Sequence, residues 1–145
     1  MPIYTFDTSV VIAYRIRELP NNFLLSAVVI AELTASATDD SSRKVFESMR
    51  QAYEKLDALI VPVAEDWLTA SRVLYWLSRS RKTKGGGKTP KLGFGASQRM
   101  FLDALLAVSA RRRGATVVTN NYDDFKAIRY YCPVKVLRGS DYFSG

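Results

Sequence analysis

Histidine is missing from all 145 residues, and that one absence removes whole classes of chemistry. Ser-His-Asp hydrolysis, histidine-pair ribonuclease chemistry and HExxH zinc sites all need an imidazole. Cysteine occurs once, at Cys132, which excludes a disulfide framework and any zinc site built from several thiolates. Long apolar runs are missing too. The stretches Phe23–Ala31 and Ala104–Val108 fall far short of the roughly 20 residues needed to span a bilayer. The opening MPIYTFDTSVVIAY lacks the positive segment of a signal peptide and carries Asp7 early. A soluble, cytoplasmic protein without a membrane partner is expected. An enzyme built from this sequence must work with carboxylates, hydroxyls, lysines or a bound metal.

The length fits one domain spanning residues 1–145, and at 48% hydrophobic the chain can bury a core. Its net charge of +7 is unevenly spread. Residues 1–66 carry ten acids and six bases, whereas residues 67–115 carry eleven bases and a single acid, Asp103. Such a field attracts polyanions, and eleven cations can neutralise several nucleic-acid phosphates. A solubilising face with a flexible loop is the plainer reading of the same run. Three glycines and a proline between Arg79 and Lys91 predict a basic loop over about 79–94. Its GGGKT does not make a phosphate-binding loop. That pattern needs a glycine five positions before Gly87, where Lys82 stands, and a preceding strand, where Asp66–Ser80 reads as helix.

Short apolar runs alternate with amphipathic ones. Ile3–Phe6, Phe23–Ser26, Leu59–Val63, Thr116–Val118 and Val134–Leu137 read as strands. Val10–Leu19, Val28–Ala37, Arg43–Leu56, Glu65–Ser80 and Ser97–Arg113 read as helices, the third with Val45, Met49, Ala52, Tyr53 and Leu56 on one face. Gly114 is placed to cap the last of them. The alternation predicts an α/β domain with a mainly parallel sheet.

In such a sheet, ligands bind outside the carboxyl ends of the strands. Asp7 directly follows the first strand, where a turn or helix cap is the plainer role. Glu32 and Asp103 interrupt otherwise apolar helical segments, and a carboxylate among apolar neighbours is costly unless paired or bound to a cation. One helical turn and two from Asp103 stand Ala107 and Ala110, a face that tolerates close approach. In the turn Thr119–Phe125, Asp123 or Asp124 can cap the next helix, or Asn121 or Asp124 can reach the same crevice. Carboxylates converging without histidine suit Mg²⁺ or Mn²⁺, which prefer oxygen ligands. One or two such ions activate water against a phosphodiester. Acids and basic segment together predict a metal-dependent nuclease.

These residues also carry a resemblance. IYTFDTSVVIAY resembles the opening of a PIN domain, SAVVIAEL its second acidic segment, and FLDALLAVSARRRGATVVTNNYDDF its last acidic helix, strand and turn. The small size resembles the VapC-like toxins of prokaryotic toxin–antitoxin pairs. The resemblance implies a three-layer α/β/α sandwich, Mg²⁺- or Mn²⁺-dependent endoribonuclease activity, a homodimer, and inhibition by a cognate antitoxin. It implies Asp7, Glu32 and Asp103 as the metal-binding acids, with Asp7 and Asp103 on the principal ion and Thr8 or Ser9 as polar support. The fourth acid of the family falls on Asp124, with Asn121 a water-mediated or substrate contact. Arg79, Arg81 and Lys82 are expected to hold the RNA. Outside a toxin–antitoxin pair, the same residues fit an RNA-processing nuclease or a non-catalytic RNA-binding module. Trp67, Tyr75 and Trp76 fit either the core or a dimer or antitoxin surface, and Tyr130 and Tyr131 either packing or base stacking.

Overall fold

A computed structural model describes residues 2–14, 20–80 and 94–144. The strands are β1 (Ile3–Phe6), β2 (Leu25–Ser26), β3 (Leu59–Ile60), β4 (Ala115–Thr119) and β5 (Val136–Arg138). All their pairings are parallel: β1 with β4, β4 with β5, and β2 with β3. A parallel bridge between Tyr4 and Phe23 joins the second group to the first, giving the order β3-β2-β1-β4-β5. Helices α1 (Thr8–Ala13), α2 (Ala27–Ala35), α3 (Asp40–Lys55), α4 (Ala64–Ser80), α5 (Phe94–Arg112), α6 (Tyr122–Tyr131) and α7 (Gly139–Ser144) flank the sheet. The sheet is parallel, as the alternation predicts, and it sits in the three-layer α/β/α sandwich that the resemblance implies. Among the described residues, no helix is long and apolar enough to cross a membrane.

β4 lies between β1 and β5, and its β-branched run Thr116-Val117-Val118-Thr119 suits a strand covered on both faces. α5 is buried continuously from Ala104 to Ala110, so it is wrapped by the domain rather than laid on its surface. Ser109 tolerates that burial because its hydroxyl donates to the Leu105 carbonyl at 2.7 Å. Gly114 ends the helix at φ +71°, a conformation that favours glycine.

Several boundaries differ from the sequence reading. The strand at Leu59 ends at Ile60, because Asp66 accepts a hydrogen bond from the Val63 amide at 2.9 Å and so closes the first turn of α4. α1 is described to Ala13, and residues 15–19 of the expected first helix lie outside the described residues. α3 turns only part of its expected face inward. Phe46, Met49 and Tyr53 pack against the core, while Val45 and Leu56 point to solvent. α7 was not anticipated. It is held by aromatic contacts of Tyr142 with Tyr4 and Phe6 rather than by an apolar repeat.

The basic segment also divides. Arg111, Arg112 and Arg113 sit where α5 leads into the amino end of β4, away from the carboxyl ends of the strands. There Arg111 donates to the Pro133 carbonyl at 3.1 Å. Arg112 pairs with buried Asp66 at 3.0 Å, and Arg113 donates to the Asp57 carbonyl at 3.1 Å. Three of the eleven cations therefore join segments of the fold. Arg79, Ser80 and Phe94 lie in helices, and the rest of the expected loop, residues 81–93 with Arg81 and Lys82, lies outside the described residues.

Candidate metal centre

The chain leaves β1 for β2 on one side and later returns to β4 on the other. The carboxyl ends of β1 and β4 therefore flank the switch point of the sheet, where α/β folds open a crevice. Asp7 is the first residue past β1 and is buried. Its amide donates to the Val118 carbonyl at 3.1 Å, which fixes it to the end of β4. The side chain caps α1, Oδ1 accepting from the Val10 amide at 3.1 Å and from the Ser9 hydroxyl at 2.6 Å. On the other side, Oδ2 accepts from the Thr119 hydroxyl at 2.5 Å. Asp7 is thus a helix cap and a crevice acid at once. Burial raises its pKa, and the Ser9, Thr119 and Val10 hydrogen bonds pull it back.

Thr119 and Ser9 extend this network into the turn after β4. Thr119 Oγ1 accepts from the Asn121 amide at 2.8 Å, and Ser9 Oγ accepts from the Asn120 amide at 3.2 Å. The sequence reading did not single out Thr119, although it stands at the head of the TNNYDDF turn. Replacing Thr119 with isosteric valine is expected to lower folding stability by about 2 kcal/mol, measured by chemical denaturation. The change leaves a buried carboxylate oxygen without its donor and an amide without its acceptor.

The second acid, Glu32, lies on α2, which starts directly from β2 with Ser26 as its cap. It is half-buried beside an apolar cavity of about 390 Å³ lined by Val28, Ala31, Leu102 and Leu105. Thr8 donates to its Oε1 at 3.3 Å. Thr8 and Ser9 therefore serve different acids. Burial raises the Glu32 pKa, Thr8 lowers it, and the Asp7 charge raises it further.

Asp103 is half-buried on α5, with Ala107 and Ala110 fully buried along its face. Its carboxyl is pushed up to about 8, first by burial and then by the charges of Asp7, Glu32 and Asp124, with Arg99 opposing. Asp103 therefore lies within electrostatic reach of the other three acids, and Glu32 within that of Asp7. Neither Asp123 nor Asp124 caps α6. That place is taken by Asn121, whose side chain makes no capping hydrogen bond. Asn121 and Asp124 line a polar cavity of about 480 Å³ beside Thr119. Arg79, at the end of α4, lies over the Tyr75 ring at 3.8 Å and forms no ion pair among the described residues.

The donor set fits a hard divalent cation. It is all oxygen, and its members repel one another in a partly desolvated crevice. Among the described residues no three acids converge tightly enough to cage an ion. Mg²⁺ retains several waters and is commonly held by one or two carboxylates together with substrate phosphates, so a closed protein cage is not required.

A family model for the PIN domain matches residues 4–129. Among solved structures, VapBC-1 from nontypeable Haemophilus influenzae aligns with a TM-score of 0.60 at 18% identity, over 95% of this chain and 98% of that one. DNA-bound VapBC from Salmonella typhimurium aligns at 0.60 and 17%, over 96% and 99%. VapBC2 from Rickettsia felis, bound to a promoter DNA fragment, aligns at 0.57 and 19%, over 94% and 98%. At such identities these structures bear on the fold. No curated protein sequence matches the chain significantly. With the family match covering most of its length, the chain belongs to the PIN domain family.

Proposed function

We propose that the protein is a Mg²⁺- or Mn²⁺-dependent endoribonuclease, the VapC-like toxin of a toxin–antitoxin pair, acting in the cytoplasm as one domain over residues 1–145. The observation that carries this reading is buried Asp7 at the switch point of a PIN fold, with Glu32 tied to the adjacent Thr8 and Asp103 within electrostatic reach. Asp7 and Asp103 hold the ion, and Glu32, Asp124 and Asn121 join directly or through water. When bound, the ion supplies Lewis acidity toward a phosphate and makes a neighbouring water more acidic, so no histidine base is needed. The chain's own residues set the stage for that chemistry. Ser9, Val10 and Thr119 fix the Asp7 carboxylate by hydrogen bonds to both oxygens, and Thr8 orients Glu32. Arg79, Arg81 and Lys82 hold the RNA strand.

The cognate antitoxin and a second copy of the chain are the expected protein partners. Exposed Trp67, Leu68, Tyr75 and Trp76 leave apolar surface on α4 for them, with Trp67 on the side of Phe101 and Trp76 on the side of Tyr131.

The test is cleavage of single-stranded RNA by the purified protein, with Mg²⁺ or Mn²⁺ and after chelation. Metal-dependent cutting that Asp7→Asn reduces by about 100-fold or more is expected, a loss on the scale of removing one preorganised charge-stabilising group. Equal cutting with and without metal contradicts the reading. Growth arrest on expression, relieved by a neighbouring small reading frame, separates a toxin from an RNA-processing nuclease.

A further inference from the structure

Of the four candidate metal acids, only Asp124 lines the polar cavity at the end of β4, next to Thr119, the partner of Asp7. Arg138, the last residue of β5, lines it too and has no role in holding the ion. It is exposed, and its guanidinium carbon lies 4.3 Å from the centre of the Tyr122 ring. Among the described residues it forms no ion pair, although Asp123 and Asp124 line the same cavity. Stacking on a ring uses the flat face of a guanidinium and leaves its edge donors available, in a planar fork that matches a phosphate.

The remaining lining supplies neutral hydrogen-bonding groups: the amides of Asn120 and Asn121 and the hydroxyl of Ser140. Amide side chains of this kind read base edges and sugar hydroxyls in single-stranded RNA. Gly139 shapes the cavity, because a Cβ there would overlap the Asn120 side-chain oxygen. The absence of a side chain lets the end of β5 approach the turn after β4. At about 480 Å³ the cavity is within the range of about 300–1,000 Å³ typical of small-ligand sites.

We infer that this cavity is a subsite for one nucleotide of single-stranded RNA next to the scissile bond, and that Arg138 is a positioning residue that grips its phosphate. The inference rests on the ribonuclease reading of the acids. Arg138 holds the flanking phosphate, while the acids and their ion act on the neighbouring one. Tyr122 keeps the guanidinium oriented before substrate arrives, which lowers the entropy lost on binding.

The test separates this subsite from the reading beneath it. Binding of a short fluorescent single-stranded oligoribonucleotide is measured in chelator, and cleavage is measured with metal, for wild type, Arg138→Ala, Arg138→Lys and Lys44→Ala. Lys44, an exposed cation on α3 paired with Asp40, is outside the cavity lining, and its replacement removes the same charge. Arg138→Ala is expected to weaken binding and raise KM about tenfold with kcat nearly unchanged, as for loss of one charge-assisted contact. It also lowers the slope of log Kd against log salt by about 0.7, one phosphate's worth for a single strand. Arg138→Lys retains part of the affinity, and Lys44→Ala behaves as wild type. Wild type that cuts RNA, with Arg138→Ala matching Lys44→Ala in affinity and salt slope, overturns the subsite alone. Wild type that neither binds nor cuts RNA overturns the ribonuclease reading and the subsite with it.

Discussion

Asp103→Asn is expected to lower RNA cleavage by about 100-fold or more while raising the melting temperature of the metal-free protein by roughly 4–8 °C. The two effects have one cause. Asp103 is the acid whose ionisation is opposed by burial and by Asp7, Glu32 and Asp124 together. Its ionisation therefore costs the fold most when no cation is present. Asparagine keeps the shape and one oxygen but removes the charge. Ala104, Ala107 and Ala110 remain packed as before, so α5 has no reason to unwind. Solvent access to the half-buried group screens the full shift, leaving about 2 kcal/mol of relief. Near-wild-type cleavage in this variant sinks the assignment of Asp103. Lost cleavage accompanied by a lower melting temperature instead indicates a structural role.

Raising the pH should destabilise the metal-free protein, and Mg²⁺ or Mn²⁺ should remove most of that slope. A carboxylate whose folded pKa lies above its unfolded value gives stability that is complete below the unfolded pKa and fades as pH rises through the folded one. For Asp103 that window runs from the ordinary 3.8 to about 8, and Asp7 and Glu32 shift in the same direction. Asp39 and Asp40 are shifted the other way, Asp39 by the Ser42 amide and Asp40 by Arg43. They contribute stability above the usual carboxylate value and lose it below that value, outside the window. A bound cation favours the ionised acids and adds about 2.7 kcal/mol at a concentration 100 times its Kd. Thermal melting across this pH range, with and without metal, gives the result. A flat metal-free profile, or no metal effect at its upper end, contradicts the account.

What the sequence made legible follows from where the signals lie. Asp7 after a β-rich run, Asp103 inside an apolar helix and Gly114 past its end are local contradictions or punctuation, readable without a partner. On α3, Val45 and Phe46 are both apolar, and only the neighbouring elements decide that Phe46 turns inward beside Met49 and Tyr53. α7 has no apolar repeat, and its place depends on Tyr4 and Phe6 at the other end of the chain. Thr119 is an ordinary strand residue until β4 is laid beside β1. Then it becomes the donor that fixes Asp7, a contact across 112 positions that no local pattern encodes. Arg138 carries no local signal for the same reason, since its cavity forms only when β5 pairs with β4. The charge count misled in part, because Arg111, Arg112 and Arg113 look like three more phosphate ligands and instead bind the fold's own oxygens.

We propose that Asp7 and Asp103, joined by Glu32 and Asp124, bind a divalent cation. Mn²⁺ binding near neutral pH, followed by electron paramagnetic resonance or calorimetry in wild type and Asp103→Asn, tests it most directly. The account predicts saturable binding in the wild type and affinity weakened at least about 10-fold in the variant, since even indirect supports of metal ligands are worth about 10–100-fold. Equal Mn²⁺ affinity in the two proteins, or no binding in either, would contradict it.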